Sequence, residues 1–279
     1  MPRVRTPEET IAVARRSIWY ARLWWMFFHI LAYAFPIDSG IWTIYFDKWI
    51  PGLFLCVTLG VSNLICYICL QCSSPGFVPI KEKASEGEDT ALEDSSDSLL
   101  EENQHFCDLC NVYPPLRAKH CKDCGRCVEH YDHHCVCAGV CVGRDNHRLF
   151  VLYLFTQTLE ALWAMNILPY GYTLNDDFEE WLEENTPIML LWVFGFFVFL
   201  LAFGLLSYHA YLIATNQSSW EHAKRSKITY LKDLPPDVLP FSQGTLMNIW
   251  LFLRGRPRNV WNVPVDAREE QTSVVVSVE

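Results

Sequence analysis

The chain has 279 residues, of which 51% are hydrophobic and 14% aromatic, and its formal net charge is −10. This acidic balance argues against a nucleic-acid-binding protein, because such proteins present a basic surface to the phosphates. The apolar residues gather in four blocks between strongly polar stretches, a distribution typical of a membrane protein.

Each apolar block is long enough to cross a bilayer core of about 30 Å as a helix. The blocks cover residues 18–35, 50–70, 149–170 and 188–213. Buried helices of a large soluble protein are the alternative, but residues 189–206 carry no charge at all. We therefore predict an all-α polytopic membrane protein with four transmembrane helices.

Lysine and arginine are distributed unevenly among the polar segments. They precede the first block, recur through residues 81–126 and follow the fourth block, whereas residues 36–49 hold one lysine and residues 175–185 hold no basic residue. By the positive-inside rule, both termini and the segment between the second and third helices face the cytosol. Cytosolic thiols stay reduced, so the 12 cysteines favour metal binding or catalysis over disulfides.

The polar segments also suggest a division of the chain. Residues 82–102 are acidic and serine-rich and bury too little apolar surface to offset the entropy of ordering, so we predict disorder there and in the tail, residues 265–279. The predicted parts are an N-terminus (1–17), the first helix pair (18–72), an acidic linker (73–103), a cysteine-rich domain (104–148), the second helix pair (149–216) and a C-terminal region (217–279).

Cysteine and histidine crowd residues 107–141 at the spacings of zinc ligands. Two tetrahedral sites need eight ligands, and an interleaved assignment supplies them. The first set comprises Cys107, Cys110, His120 and Cys127, and the second comprises Cys121, Cys124, His134 and Cys141. Each set is closed, which is typical of structural zinc. Because this segment has few apolar residues, metal binding would supply most of its folding free energy.

One thiol of the array is left over, that of Cys135. It follows Asp132, His133 and the zinc candidate His134. A thiol attacks as the thiolate, and a neighbouring imidazole can remove its proton. A carboxylate beyond the imidazole fixes its tautomer. Adjacent side chains normally point apart, so Asp132, His133 and Cys135 would converge only on a constrained turn, which a zinc ligand at His134 could impose.

Residues 106–150 resemble the cysteine-rich domain of the DHHC protein S-acyltransferases, and the resemblance covers nearly the whole chain. Residues 74–76 (Ser-Pro-Gly) are similar to the family's Asp-Pro-Gly element, and residues 218–221 (Ser-Ser-Trp-Glu) to its Thr-Thr-x-Glu element. Residues 241–252, with Asn248, resemble its C-terminal aromatic and asparagine motif. The short length resembles one vertebrate member in particular.

The resemblance implies a protein S-palmitoyltransferase that works in two steps. Cys135 would take a long acyl chain from palmitoyl-CoA as a thioester, with His133 as the base and Asp132 orienting it. The acyl group would then pass to a cytosolic cysteine of a membrane-associated substrate protein. The usual residence of the family and the short first two helices favour the Golgi or endoplasmic reticulum membrane.

The residues after Cys135 depart from the family pattern, which continues Pro-Trp where this chain has Val136-Cys137. Cys137 could accept the acyl chain, compete for zinc or form a disulfide with Cys135. The departure also keeps a second hypothesis open, a catalytically impaired, zinc-stabilised membrane adaptor. A cross-brace ubiquitin ligase is disfavoured, because the dense cysteine run leaves no room for a long ligand loop.

The sequence also allows a prediction for the surroundings of Glu160 and His130. Glu160 lies inside the third apolar block, where an ionisable group is costly. We expect it to make a polar contact between helices rather than to act at an acyl-chain cavity. His130 is expected to be solvated or to support the site from outside.

Overall fold

The computed structural model describes residues 6–38, 41, 50–79 and 106–255. The predicted disordered linker, residues 82–102, and the predicted disordered tail, residues 265–279, lie outside these residues. The described helices are α1 (Pro7–Asp38), α2 (Ile50–Cys72), α3 (His147–Ile167), α4 (Phe178–Thr215), α5 (Ser219–Lys224) and α6 (Thr245–Leu253). Four short strands are β1 (Lys119–Cys121), β2 (Arg126–Val128), β3 (His133–Cys135) and β4 (Val140–Val142).

Three helical segments are long and apolar enough to cross a membrane, in the part of the chain that the structure describes. They are Gly52–Cys72, His147–Gly171 and Phe178–Thr215. The prediction of four spans was therefore wrong by one. The first apolar block lies within α1, a helix of 32 residues. Arg22 and His29 interrupt its apolar stretch, and several of its other members are tryptophan and tyrosine, which are less apolar than aliphatic residues.

Although α1 lacks the hydropathy of the other long helices, polar contacts hold it against them. Arg22 Nε donates to Gln71 Oε1 at 2.9 Å, near the end of α2. Further along, Trp25 Nε1 donates to Asn63 Oδ1 at 3.3 Å. These contacts run in opposite chain directions along the two helices, so α1 lies antiparallel to α2.

Glu160 in α3 makes the interhelical contact expected of it. Tyr33 in α1 donates a hydrogen bond from its hydroxyl to Glu160 Oε1. His29 Nε2, also in α1, lies 3.4 Å from Glu160 Oε2. The carboxyl group is buried, and α1 therefore supplies polar partners that lipid could not.

Most of the acidic segment before the fourth apolar block belongs to α4 rather than to a loop. Asp177 caps the helix by accepting hydrogen bonds from the backbone N–H groups of Glu179 and Glu180. Carboxylates in the first turn also interact favourably with the helix dipole. As a result α4 has 38 residues and begins about ten residues before the fourth apolar block.

The cysteine-rich domain consists of two antiparallel hairpins, β1–β2 and β3–β4. In the first, His120 pairs with Cys127, and in the second, His134 pairs with Cys141. Each register therefore places two candidate metal ligands directly opposite each other. The segment after α2 joins the domain through Val78, whose N–H donates to Cys127 O at 2.9 Å.

The domain and the C-terminal segment lie at the same end of the helix bundle. This end holds the last residue of α2, the first of α3 and the last of α4. Ser219, four residues beyond α4, donates its backbone N–H to Asp132 at 2.8 Å. The fold thus brings chain segments far apart in sequence to the start of α3.

Candidate active site

The eight predicted metal ligands gather into the two sets that their spacing indicates, with the donor atoms of each set within 4.8 Å of one another. In the first, His120 Nδ1 lies 3.6 Å from Cys107 Sγ and 3.3 Å from Cys110 Sγ. In the second, His134 Nδ1 lies 3.5 Å from Cys124 Sγ and 3.4 Å from Cys141 Sγ. Three thiols around one imidazole nitrogen form the donor set that zinc prefers, so both sites could hold it.

Strand alternation separates the functional roles within β3. Successive side chains of a strand point to opposite faces, so His133 and Cys135 share one face while His134 points to the metal-ligand side. The sequence argument required a constrained turn for this convergence, and that expectation was wrong. A three-residue strand paired with β4 instead places His133 and Cys135 on one face.

Asp132 precedes this strand and is 1% exposed. Its Oδ2 lies 2.6 Å from His133 Nδ1 and accepts from Ser219 Oγ at 2.7 Å, while Oδ1 accepts from Ser219 N. Burial alone raises the pKa of Asp132, but the hydrogen bond with His133 and the nearby histidines outweigh it and hold the pKa well below its usual range. The carboxylate therefore stays ionised and keeps the proton of His133 on Nδ1.

Cys135 is half-buried against the apolar cluster that includes Phe150 and Leu154 of α3. Interaction with the thiol of Cys137 and burial together raise the pKa of the Cys135 thiol. Among the described hydrogen bonds none joins His133 to Cys135, so proton transfer between them would require the two side chains to approach each other.

Sequence reasoning missed two histidines that lie behind Asp132. His147 Nε2 and His209 Nδ1 are 2.9 Å apart, and both side chains are buried. Their nitrogen atoms and an Asp132 oxygen lie within 4.8 Å of one another. Because both oxygens of Asp132 already accept from His133 and Ser219, we interpret this cluster as a hydrogen-bonded support rather than a metal centre. An ionisable residue inside the fourth apolar block was the available signal for His209.

A buried ion pair fixes the segment that carries Ser219. Arg117 donates from Nε and Nη2 to the two carboxylate oxygens of Glu221, at 2.8 Å and 2.7 Å, and both side chains are about fully buried. Ser218 and Glu221 form a capping box at the start of α5. Arg117 thereby ties the cysteine-rich domain to the C-terminal segment. Nothing in the local pattern around Arg117 predicts a partner 104 residues away.

Asn248 performs the corresponding task for α6. Its Nδ2 donates to Ala214 O at 2.8 Å, and its Oδ1 accepts from Gln243 N at 2.9 Å. Of the two environments expected for His130, the solvated one is wrong, because this side chain is 8% exposed. Among the described residues, its Nε2 has no hydrogen-bond partner. Burial and the charge of Arg117 lower the pKa of His130 to about 3.

Comparison with known proteins agrees with this geometry. The sequence model of the family described as DHHC palmitoyltransferase matches residues 100–226. The human protein named Palmitoyltransferase ZDHHC12 is 32% identical over 227 residues, which cover 80% of this chain and 82% of the human protein. The mouse protein of the same name is 32% identical over 81% of this chain and 83% of its own length. Protein S-acyltransferase 10 of Arabidopsis thaliana is 40% identical over 144 residues, which make up 42% of that protein.

Proposed function

The chain belongs to the DHHC palmitoyltransferase family, and on this premise we propose that it transfers a long acyl chain from palmitoyl-CoA to protein cysteines through a thioester on Cys135. S-palmitoyltransferase function follows from that membership. One observation carries the assignment of residues. The buried carboxylate of Asp132 is bonded to His133 Nδ1, on the strand that also carries Cys135.

The first step forms the acyl-enzyme. His133 Nε2 takes the proton of Cys135, whose thiolate attacks the acyl carbonyl of palmitoyl-CoA. The carbon–sulfur bond to coenzyme A then breaks, and the leaving thiolate takes the proton from His133. Asp132 stabilises the imidazolium that exists between these two proton transfers.

The second step repeats the chemistry with a protein thiol. His133 takes the proton of the acceptor cysteine, whose thiolate attacks the thioester carbonyl. Cys135 leaves as a thiolate and regains its proton from His133, so the enzyme returns to its starting state. The partners are membrane-associated proteins with cytosolic cysteines. Because Cys135 packs against the first part of α3, a substrate protein must approach the bilayer to reach it.

The membrane setting suits an acyl chain of about sixteen carbons, because each buried CH2 contributes about 0.8 kcal/mol to membrane attachment. We place the cysteine-rich domain and the C-terminal segment in the cytosol, in agreement with the positive-inside rule. Residence in the Golgi or endoplasmic reticulum membrane is part of the same proposal. We also propose the domain boundaries that the sequence indicates, with residues 104–148 as the catalytic zinc-binding domain.

Zinc would occupy both closed sets of three cysteines and one histidine. The ligands of the first zinc ion would be Cys107, Cys110, His120 and Cys127. Those of the second would be Cys121, Cys124, His134 and Cys141. A closed Cys3His site leaves no open position for substrate, so zinc there supplies structure. Zinc would affect catalysis through its ligand His134, because this residue lies between His133 and Cys135 in β3.

A catalytically impaired adaptor is the second candidate, favoured by the absence of the family's Pro-Trp after Cys135. Val136 at this place is 75% exposed, so it provides little cover for a thioester. Zinc content does not separate the two candidates, because both require the structural sites. Thioester formation does.

The test is labelling of the purified, zinc-loaded chain with an alkyne analogue of palmitoyl-CoA. We expect a label that hydroxylamine removes and that Cys135→Ser abolishes. Cys72→Ser is the matched control, because Cys72 is an exposed thiol at the end of α2 and should leave the labelling of Cys135 unchanged. Zinc-loaded wild type that forms no thioester would indicate the adaptor.

A further inference from the structure

A cleft that the proposed reaction does not use lies at the end of the helix bundle that carries the cysteine-rich domain. Its walls come from the start of α3, the end of α4 and α6, and its empty space of about 500 Å³ is partly open to the outside. Arginine and histidine side chains line it, namely His130, Arg144, His147 and Arg148. Among the residues that the structure describes, no aspartate or glutamate does so. This lining favours an anionic ligand.

Arg148 provides the positive charge that is available to such a ligand. Its exposed guanidinium donates from Nη1 to Leu253 O at 3.1 Å, and within the described part of the chain it pairs with no carboxylate. Arg144 differs, because its Nε donates to Asp145 Oδ1 at 2.8 Å and its Nη1 contacts Glu129. A guanidinium has five N–H donors, so Arg148 keeps several for an anion after its bond to Leu253.

The segment after α6 holds this guanidinium in place. Gly255 has a φ of 67°, a conformation that residues with a side chain rarely adopt. A Cβ at Gly255 would overlap Arg148 Nη2, so the backbone packs directly on the guanidinium. Arg148 therefore offers its remaining donors from a fixed position, which reduces the entropy lost when a ligand binds.

His130 is a second, independent indication of a ligand. This residue lines the cleft and is 8% exposed, yet its Nε2 has no hydrogen-bond partner among the described residues. A buried nitrogen without a partner is unfavourable, and such groups in a folded protein call for an explanation. An oxygen atom of a ligand in the cleft would supply the missing partner, with the proton of the imidazole on Nε2.

The rest of the cleft is apolar. Leu212 and Ile213 from the end of α4 and Leu251 and Phe252 from α6 contribute to its lining. The cleft also lies where one spanning segment begins, at His147, and level with the last residues of another, which ends at Thr215. A ligand with an anionic group and an apolar part fits both the lining and this position at the edge of the hydrocarbon core.

Helix α6 presents further apolar surface beside the cleft. Leu246 is 85% exposed and Leu253 is 66% exposed, and the guanidinium of Arg254 lies 3.9 Å from the centre of the Trp250 ring. Exposed leucine and tryptophan next to arginine are typical of a helix that lies in a membrane interface. Lipid would therefore cover this side of α6, and the cleft would open toward the headgroups.

We propose that the cleft binds the phosphate group of an anionic phospholipid, with Arg148 as the charged partner and His130 Nε2 as a hydrogen-bond donor. The acyl chains of the lipid would extend past the apolar lining toward α4. The inference goes beyond acyl transfer, because it requires only that the spans lie in a bilayer. Binding of this lipid would fasten α6 and the end of α4 to the membrane surface.

The experiment is native mass spectrometry of the zinc-loaded full chain, released from micelles of an uncharged detergent to which phosphatidylglycerol has been added. We expect about one tightly retained lipid per chain, bound about tenfold more tightly than phosphatidylcholine with the same acyl chains. The two lipids share the phosphodiester, and only phosphatidylcholine neutralises it with a cationic headgroup. The result is read without acylation, so a failure of the proposed enzyme function would not affect it.

Variants locate the lipid in the cleft. Arg148→Gln should weaken retention of phosphatidylglycerol by about tenfold or more, and Arg148→Lys by less, because it keeps the charge and loses the fork of donors. His130→Leu removes one neutral hydrogen bond, so a loss of about fivefold is expected. Arg254→Gln is the matched control, since Arg254 carries the same charge nearby without lining the cleft, and should stay within about twofold of the wild type. Wild-type zinc content and far-ultraviolet spectra establish that each variant is folded.

Three results would overturn the inference. Equal retention of phosphatidylglycerol and phosphatidylcholine by the wild type would show that the site has no preference for an anion. Equal losses in Arg254→Gln and Arg148→Gln would show that the charge of the whole surface attracts the lipid. Displacement of phosphatidylglycerol by inorganic phosphate or coenzyme A at the same concentration as the lipid would assign the cleft to a soluble phosphate.

Discussion

At the scale of single residues, the site depends on how completely Asp132 is supplied with hydrogen-bond donors. A buried carboxylate without partners would bind a proton, whereas His133, Ser219 N and Ser219 Oγ all contact this one. The ionised carboxylate then fixes one tautomer of His133, which leaves Nε2 free to act as a base. If Asp132 lost its negative charge, His133 could carry its proton on Nε2. In that tautomer Nε2 cannot act as a base.

Asp132→Asn should therefore slow formation of the acyl-enzyme at Cys135 by about 10²-fold or more, because an amide does not hold Nδ1 protonated. Rapid-quench measurement of thioester formation checks this. Ser219→Ala is the graded comparison. It removes one donor and leaves the N–H of the same residue, so a loss of about tenfold or less is expected. Thioester formation by Asp132→Asn at the wild-type rate would contradict the assigned role.

His130 gives a prediction about pH. Its pKa is lowered from 6.5 to about 3 by burial, so the folded state keeps this imidazole neutral where the unfolded state protonates it. The stabilisation is complete above pH 6.5 and is lost as pH falls from there toward 3. Each pH unit below 6.5 should cost the wild type about 1.4 kcal/mol relative to His130→Gln.

Thermal unfolding of both proteins, zinc-loaded and in the same micelles at pH 7.5, 6.5 and 5.5, measures this difference. Protonation of metal ligands affects both proteins alike, so the comparison isolates His130. Parallel stability curves for wild type and variant would show that the folded state accepts a proton at this residue.

At the scale of elements, the hairpins of the cysteine-rich domain and the six-residue helix α5 position the side chains of the candidate site. The register of β3 against β4 sets His134 opposite Cys141, which leaves the other face of β3 to His133 and Cys135. A shift of one residue would exchange these faces. Helix α5 has six residues and is too short to be stable alone, so its position depends on the buried pair of Arg117 and Glu221.

Glu221→Gln should consequently destabilise the protein by about 3–5 kcal/mol, because it leaves the Arg117 guanidinium buried without a counter-charge. It should also slow thioester formation, since α5 carries the Ser219 donors to Asp132. A thermal unfolding series with an acylation assay measures both effects. Lys232→Gln is the matched control, because it removes an exposed ion pair with Asp233 at 3.9 Å and should cost less than about 1 kcal/mol. Equal stability of the two variants would contradict the role of the buried pair.

At the scale of the whole molecule, a domain with a small apolar core is attached to helices that need no metal. Half of the buried residues in the core clusters of the cysteine-rich domain are candidate ligands, namely Cys110, Cys121, Cys127 and Cys141. The spanning helices instead satisfy their backbone groups internally and bury apolar surface in lipid. Loss of the metal should therefore unfold the cysteine-rich domain while the spanning helices stay folded.

Chelation is expected to remove about two zinc ions per chain and to abolish thioester formation, while most of the helical circular dichroism remains. Metal analysis, acylation and far-ultraviolet spectra on one sample provide the test, with activity restored by added zinc. Cys110→Ser and Cys124→Ser, one from each set, should each reduce the zinc content by about one ion. Full activity of metal-free protein would rule out a structural role for zinc.

Helix α1 shows where prediction from composition reaches its limit. Its aromatic residues, Arg22 and His29 lie in an apolar block, yet the helix is less apolar than the three spans. Its place beside α2 depends on Gln71 and Asn63, and its tie to α3 depends on Glu160. Those partners lie far along the chain, so hydropathy within α1 does not reveal them.

The sequence by itself determined the spans α2, α3 and α4, the two interleaved ligand sets and the block from Asp132 to Cys135. These features are local, since a bilayer requires long apolar runs and a tetrahedral metal site requires close, regular spacing of ligands. Only the tertiary structure decided that Ser219, His209 and the pair of Arg117 and Glu221 support the site, because their contacts join residues 62 to 104 positions apart. It also decided that α2 holds the turn after β3, because Tyr67 donates to Cys137 O and Gln71 donates to Ala138 O across about 70 positions of sequence.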